Sequence, residues 1–109
     1  MSYMFSECFS LKELSFSNFN ANNVTDMSYM FYDCSSLKEI DLSNFNIENV
    51  TNMRKMFYDC SSLKKINLPN YFNINNDTFI HGLFYGCPNE IIVQMRNKIK
   101  NIRIEAFKG

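Results

Sequence analysis

Apolar residues along the chain follow two rhythms that take turns. In one, Leu37, Ile40, Leu42, Phe45 and Ile47 are spaced LxxIxLxxFxI, and Leu11, Leu14, Phe16, Phe19 and Ala21 hold the same places earlier. Its central part alternates, with Ile40 and Leu42 on one side and Glu39, Asp41 and Ser43 on the other, which is the period of a half-buried strand. The other rhythm places Val50, Met53, Met56 or Phe57, and Cys60 three or four residues apart, a helical period. Thr51, or Asn49 before it, can accept a hydrogen bond from the first turn of such a helix, and Thr25 and Thr78 stand at the same place. Strands are therefore expected at 11–16, 37–42, 63–68 and 91–95, with an irregular stretch and a short helix after each.

The two rhythms belong to one repeat. Residues 1–26 and 27–52 agree at 17 of 26 positions, a third copy covers 53–79, and a fourth begins at Ile80. A period in this range marks units that bury their apolar faces only by stacking on one another. The expected fold is α/β: a single domain over 1–109, a leucine-rich-repeat solenoid of about four 26-residue rungs. Its parallel β-sheet would form one face and its short helices the other. The repeats are 1–26, 27–52, 53–79 and 80–109, the last ending in a cap where Lys98, Lys100, Arg103 and Lys108 are interspersed with Ile99, Ile102 and Ile104. Met1 holds the place of Met27 and Met53, so the chain is expected to be a fragment of a longer array. Met4, Met30, Met56 and Leu83, with Phe5, Phe31, Phe57 and Phe84 beside them, form two apolar columns that read as core.

The strings Met-Phe-x-x-Cys, Ser-Leu-Lys and Asn-Phe-Asn occur in order and in register, as in MFYDCSSLKEIDLSNFN. In these the sequence resembles the BspA-like leucine-rich-repeat surface proteins of bacteria and some parasitic protists, well over 1–87 and loosely over 88–109. The resemblance implies a solenoid, a place at the cell surface or outside the cell, a role in adhesion or host-protein binding, and no catalytic residues. Surface members carry signal and anchoring segments and usually more rungs, which these residues do not show.

Charge refines this picture. Eleven basic and eleven acidic side chains give no net charge, so nothing favours a nucleic acid, and no apolar run is long enough for membrane insertion. The balance is uneven, however: residues 1–53 hold two basic and seven acidic side chains, and residues 90–109 five basic and two acidic. Cys8, Cys34, Cys60 and Cys87 share one repeat position, so stacking would set them in file as buried free thiols, not converging on a metal. No metal or other cofactor is expected. The sequons at Asn23, Asn49 and Asn76 coincide with the helix-start turn and read as structural. His81 has no second histidine or catalytic set beside it, so an enzyme is not expected.

Two surfaces remain for a partner. The outward strand positions Glu13, Glu39, Asp41, Ser43, Lys65, Asn67 and Gln94 would form a polar face about 15 to 20 Å across, suited to a protein or glycan ligand. Tyr32, Tyr58 and Tyr85 form a stripe of possible aromatic anchors. The expected function is thus a non-enzymatic binding module of an adhesin-type protein. The alternative is a structural unit that self-assembles end to end, as a homo-oligomer joined through Met1, Met4 and Phe5 at the N-terminal end.

Overall fold

The computed structural model describes residues 24–69, 74, 77–99 and 102–109, and the backbone of 13–15. Three strands form where the alternation is strict: β1 (Glu13–Ser15), β2 (Glu39–Asp41) and β3 (Lys65–Asn67). They pair in parallel in the order β1-β2-β3, with Leu14 opposite Ile40 and Ile40 opposite Ile66. Ile40 and Ile66 are buried, while Glu39 and Lys65 are exposed. Each strand is only three residues long. The Asp41 carboxylate accepts from the amide and hydroxyl of Ser43, at 3.0 and 2.6 Å, an Asx turn that takes the chain out of β2. Pro69, two residues beyond β3, has no amide to extend pairing.

The expected leucine-rich-repeat solenoid of four rungs with a helical face is not what forms. Where the spacing predicts helices, residues 28–33, 54–59 and 81–86 are consecutive turns. Their amides divide into two sets. Those of Met30, Tyr32 and Cys34 bond three residues back, to Met27, Tyr29 and Phe31, whereas those of Tyr29, Phe31 and Asp33 donate to Arg54, Met56 and Tyr58 in the next copy at 2.7–2.9 Å. The same division recurs from Met53 to Cys60. An α-helix needs each amide to bond four residues back along its own segment, and here every second amide is committed to a neighbour. The backbone adapts by taking positive φ at Tyr29, Asp33, Lys55, Asp59, Gly82 and Gly86, two residues per copy in a region that interrupts any right-handed helix.

The turn starts also differ from expectation. The side chains of Asp26 and Asn52, not those of Thr25 and Thr51, accept from the amides two residues on, Ser28 at 2.9 Å and Arg54 at 3.1 Å. Thr51 Oγ1 donates instead to the carbonyl of Thr25 at 3.4 Å. Parallel bridges link Asp26 to Asn52 and Asn52 to Phe79, tying the turn starts together.

The fourth expected strand, 91–95, is a helix. α1 spans Asn89–Lys98, with Glu90 in its first turn and Arg96 and Lys98 in its last, a distribution that complements the helix dipole. Ile91, Met95 and the following Ile99 are buried at four-residue intervals, which gives the helix a single apolar stripe. A 3-10 turn, Ile104–Phe107, then lies beside the last consecutive turns. Its Glu105 and Ala106 carbonyls accept from the amides of Gly82 and Phe84, at 2.9 and 2.8 Å.

The core runs between sheet and turns. Phe31, Phe57 and Phe84 are fully buried and stack with ring centroids 5.5 Å apart, and Phe107 continues the column at 6.0 Å. Met30, Met56 and Leu83 are buried too. Met4 and Phe5 lie outside the described residues.

Candidate functional site

The outward positions of the sheet come into register through the parallel pairing. Glu39 stands beside Lys65 and Asp41 beside Asn67, with Glu39, Lys65 and Ser43 exposed and Asp41 and Asn67 half-buried. Glu13 pairs with Glu39 through its backbone. Gln94 is not part of this face: it is exposed on α1, away from any strand. The Ser43 hydroxyl and amide hold the Asp41 carboxyl below its ordinary range, with help from the Lys65 charge, so Asp41 presents a fixed anion next to a cation. Asp26 is lowered as well: burial opposes ionisation, but its bonds from Ser28 and the charge of Arg54 outweigh it.

Tyr32, Tyr58 and Tyr85 do form a stripe. Their centroids are 5.1 and 4.8 Å apart, and the Lys55 ammonium lies 5.1 Å from the Tyr58 centroid. Stacking turns the faces of the Tyr58 ring toward its neighbours. Desolvation, then the Asp59 carboxylate, raises the Tyr58 phenol above its ordinary pKa, so it is a neutral hydroxyl at physiological pH. Met1, Met4 and Phe5, the expected self-association residues, lie outside the described residues.

The cysteines take the arrangement that their period implies. Cys34, Cys60 and Cys87 are buried and free. Cys60 Sγ donates to the Phe31 carbonyl at 3.1 Å and Cys87 Sγ to that of Phe57 at 3.2 Å. Burial pushes Cys87 up to about 12 and Cys60 well above its ordinary value, which keeps both protonated and inert at neutral pH. Cys8 is outside the described residues, among which no group of three His, Cys, Asp or Glu could hold a metal. Of the sequons, Asn49 is exposed, and Asn23 and Asn76 lie outside the described residues.

A cleft that sequence reasoning missed, apart from His81, opens between the turn starts and the 3-10 turn. Its volume is 490 Å³, and Arg54, Asp77, Phe79, His81, Arg103 and Glu105 contribute to its lining. The Arg54 guanidinium carbon sits 4.0 Å from the centroid of Phe79, which is 51% exposed. One sequence signal did point here: Phe79 holds the turn-start place that Asp26 and Asn52 hold in the other copies, a large apolar side chain at a polar position.

Among the described residues, no helix is long and apolar enough to cross a membrane. No curated protein and no solved structure matches the chain. Residues 1–98 match a family described as "Mycoplasma protein of unknown function, DUF285". The match spans most of the chain, including the copies that build the sheet and the stacked turns, and the chain belongs to that family.

Proposed function

We propose that the protein is a non-enzymatic binding module that engages a protein or glycan through the outward face of its sheet. The observation that carries this reading is the registered set Glu39, Asp41, Lys65 and Asn67 above buried Ile40 and Ile66. Parallel pairing holds like positions about 4.8 Å apart, so the face offers charge and hydrogen-bonding groups at fixed spacing with little rotamer freedom at Asp41. The resemblance of the MFYDCSSLKEIDLSNFN stretch to BspA-like surface proteins supports an adhesive role at a cell surface. The test is a glycan array and a panel of immobilised extracellular glycoproteins, probed with the protein and with a Glu39→Ala, Asp41→Ala, Lys65→Ala triple variant. The variant should weaken the strongest interaction by about tenfold or more. Equal binding by both, or no binding by either, would remove the sheet face from consideration.

A second reading, end-to-end self-assembly, is favoured by a different observation. Ile99, Ile102, Ile104 and Phe107 line a 340 Å³ cleft with Arg96 at its edge, and Ile104 is 64% exposed. In this reading the surface around the cleft meets the N-terminal end of a second copy, which sets the acidic half, residues 1–53, against the basic residues of 90–109. Light scattering should then show association that weakens as salt rises, and Ile104→Lys should yield a monomer. A protein that stays monomeric at about millimolar concentration does not assemble this way.

A further inference from the structure

The cleft beside Phe79 contains no strand residue, so a ligand held there is independent of whether the sheet face binds anything. Its parts are held from the backbone. Phe79 is fixed by its amide to Thr51 at 2.9 Å and its carbonyl to Met53 at 2.8 Å; the Arg54 carbonyl accepts from Tyr29 at 2.9 Å. The Arg54 guanidinium carbon stands 4.0 Å from the centroid of this anchored ring, and among the described residues no acceptor engages its guanidinium. An aromatic ring beneath a guanidinium attracts its charge without consuming any of its N–H donors, which stay available for a bidentate acceptor. Arg103, by contrast, is engaged, donating to the Thr78 carbonyl and pairing with Glu105 at 3.1 Å. His81 Nε2 is 2.9 Å from the Gly109 carbonyl oxygen, which orients the imidazole on the rim.

Charge narrows the ligand. Among the described lining residues, the side chains of Arg54 and Arg103 are matched in number by the carboxylates of Asp77 and Glu105, so a bare anion gains little from the cleft. A ligand with one anionic group and several hydroxyls suits it better. The anion would meet the Arg54 edge, hydroxyls would donate to the Asp77 and Glu105 carboxylates, which accept several hydrogen bonds each, and an apolar ring face would rest near Phe79. We propose that this cleft binds a carboxylate-bearing sugar, a uronic-acid unit of a glycan, with Arg54 on Phe79 as the carboxylate receptor.

The test titrates the protein with a glucuronate-containing tetrasaccharide, its carboxyl-reduced neutral counterpart, and inorganic phosphate, following backbone amide and His81 ring resonances by NMR. Saturable shifts confined to residues 77–81, 103–105 and Arg54 are expected with the acidic tetrasaccharide at about millimolar affinity. Arg54→Gln, which leaves the backbone bonds of that residue intact, should weaken binding about tenfold. Arg54→Lys, which keeps charge but not the fork, should fall between, and Glu39→Ala should change nothing. No saturable shift, equal affinity for the carboxyl-reduced sugar, or an unaffected Arg54→Gln variant would each overturn the proposal. Phosphate binding as tightly as the tetrasaccharide would overturn the sugar assignment and leave a simple anion site.

Discussion

Phe57→Ala should lower the unfolding free energy by about 3–5 kcal/mol, the usual range for removing a fully buried phenyl ring. Phe57 is the middle member of a stack, with Phe31 on one face and Phe84 on the other, each at 5.5 Å and within 10° of parallel. Its loss removes contacts on two sides and leaves a cavity between two copies. The three copies that meet there are also joined through the backbone, by the Phe31 amide to Met56 and the Phe57 amide to Leu83, so the cavity cannot close without breaking these bonds. Collapse is therefore restricted, which places the cost high in the range. Phe57→Leu should cost less because it keeps most of the volume. Denaturant unfolding at unchanged slope is the measurement, and a loss for Phe57→Ala under about 1 kcal/mol would mean that the copies repack freely.

Gly86→Ala is the second large effect expected. Gly86 has φ +80°, and a methyl group there would sit 2.0 Å from Asp59 Oδ1 and 2.9 Å from Asp59 Cα. The carboxylate can rotate away; the Cα cannot move without shifting the Asp59 amide, which donates to Tyr85 at 2.7 Å. The left-handed conformation alone costs an alanine about 1–2 kcal/mol, and the backbone displacement raises the total to roughly 2–4 kcal/mol. Gly82→Ala makes an informative comparison. Its φ is +70°, but its closest approach, at 3.0 Å, is to Lys55 Cγ in a flexible side chain, so it should destabilise less. Adding Asp59→Ala to Gly86→Ala should recover only part of the loss. Thermal midpoints for the four proteins check this, and a Gly82→Ala variant as unstable as Gly86→Ala would contradict it.

The strands were legible because their signal is local. The period-two alternation around Ile40 and Ile66 needs no knowledge of the neighbours, and β2 and β3 lie within the stretches it marks. The stacked turns were not, because their apolar spacing matches a helix. Val50, Met53, Met56 and Cys60 are all buried, as a helix would bury them, yet the amides between them bond across copies. A hint was present in the third and fourth copies, where Asp59 and then Gly86 occupy one place and Lys55 and then Gly82 another; Gly and Asp tolerate positive φ, and a helix interior would not favour glycine. The segment 91–95 misled through its place in the repeat, which is that of the earlier strands. Ile91, Ile92 and Val93 are β-branched and suit a strand, while burial at Ile91, Met95 and Ile99 follows the helix. The Phe79 cleft was out of reach for another reason: it joins residues from 54 to 105 that only the fold brings together.

The direction of the bonds between turns gives the array a polarity. From Met27 to Asp33, from Met53 to Asp59, and at Gly82 and Phe84, the amide is always in the earlier copy and the carbonyl in the later one. A copy leaving the ribosome therefore carries these donors before their acceptors have been synthesised, and only its bonds three residues back can form until about 25 more residues emerge. Clipping the array has the same asymmetry. Among the bonds of these turns, removal of a copy from the front strands carbonyl groups, which tolerate incomplete pairing; removal from the back strands amides, which do not.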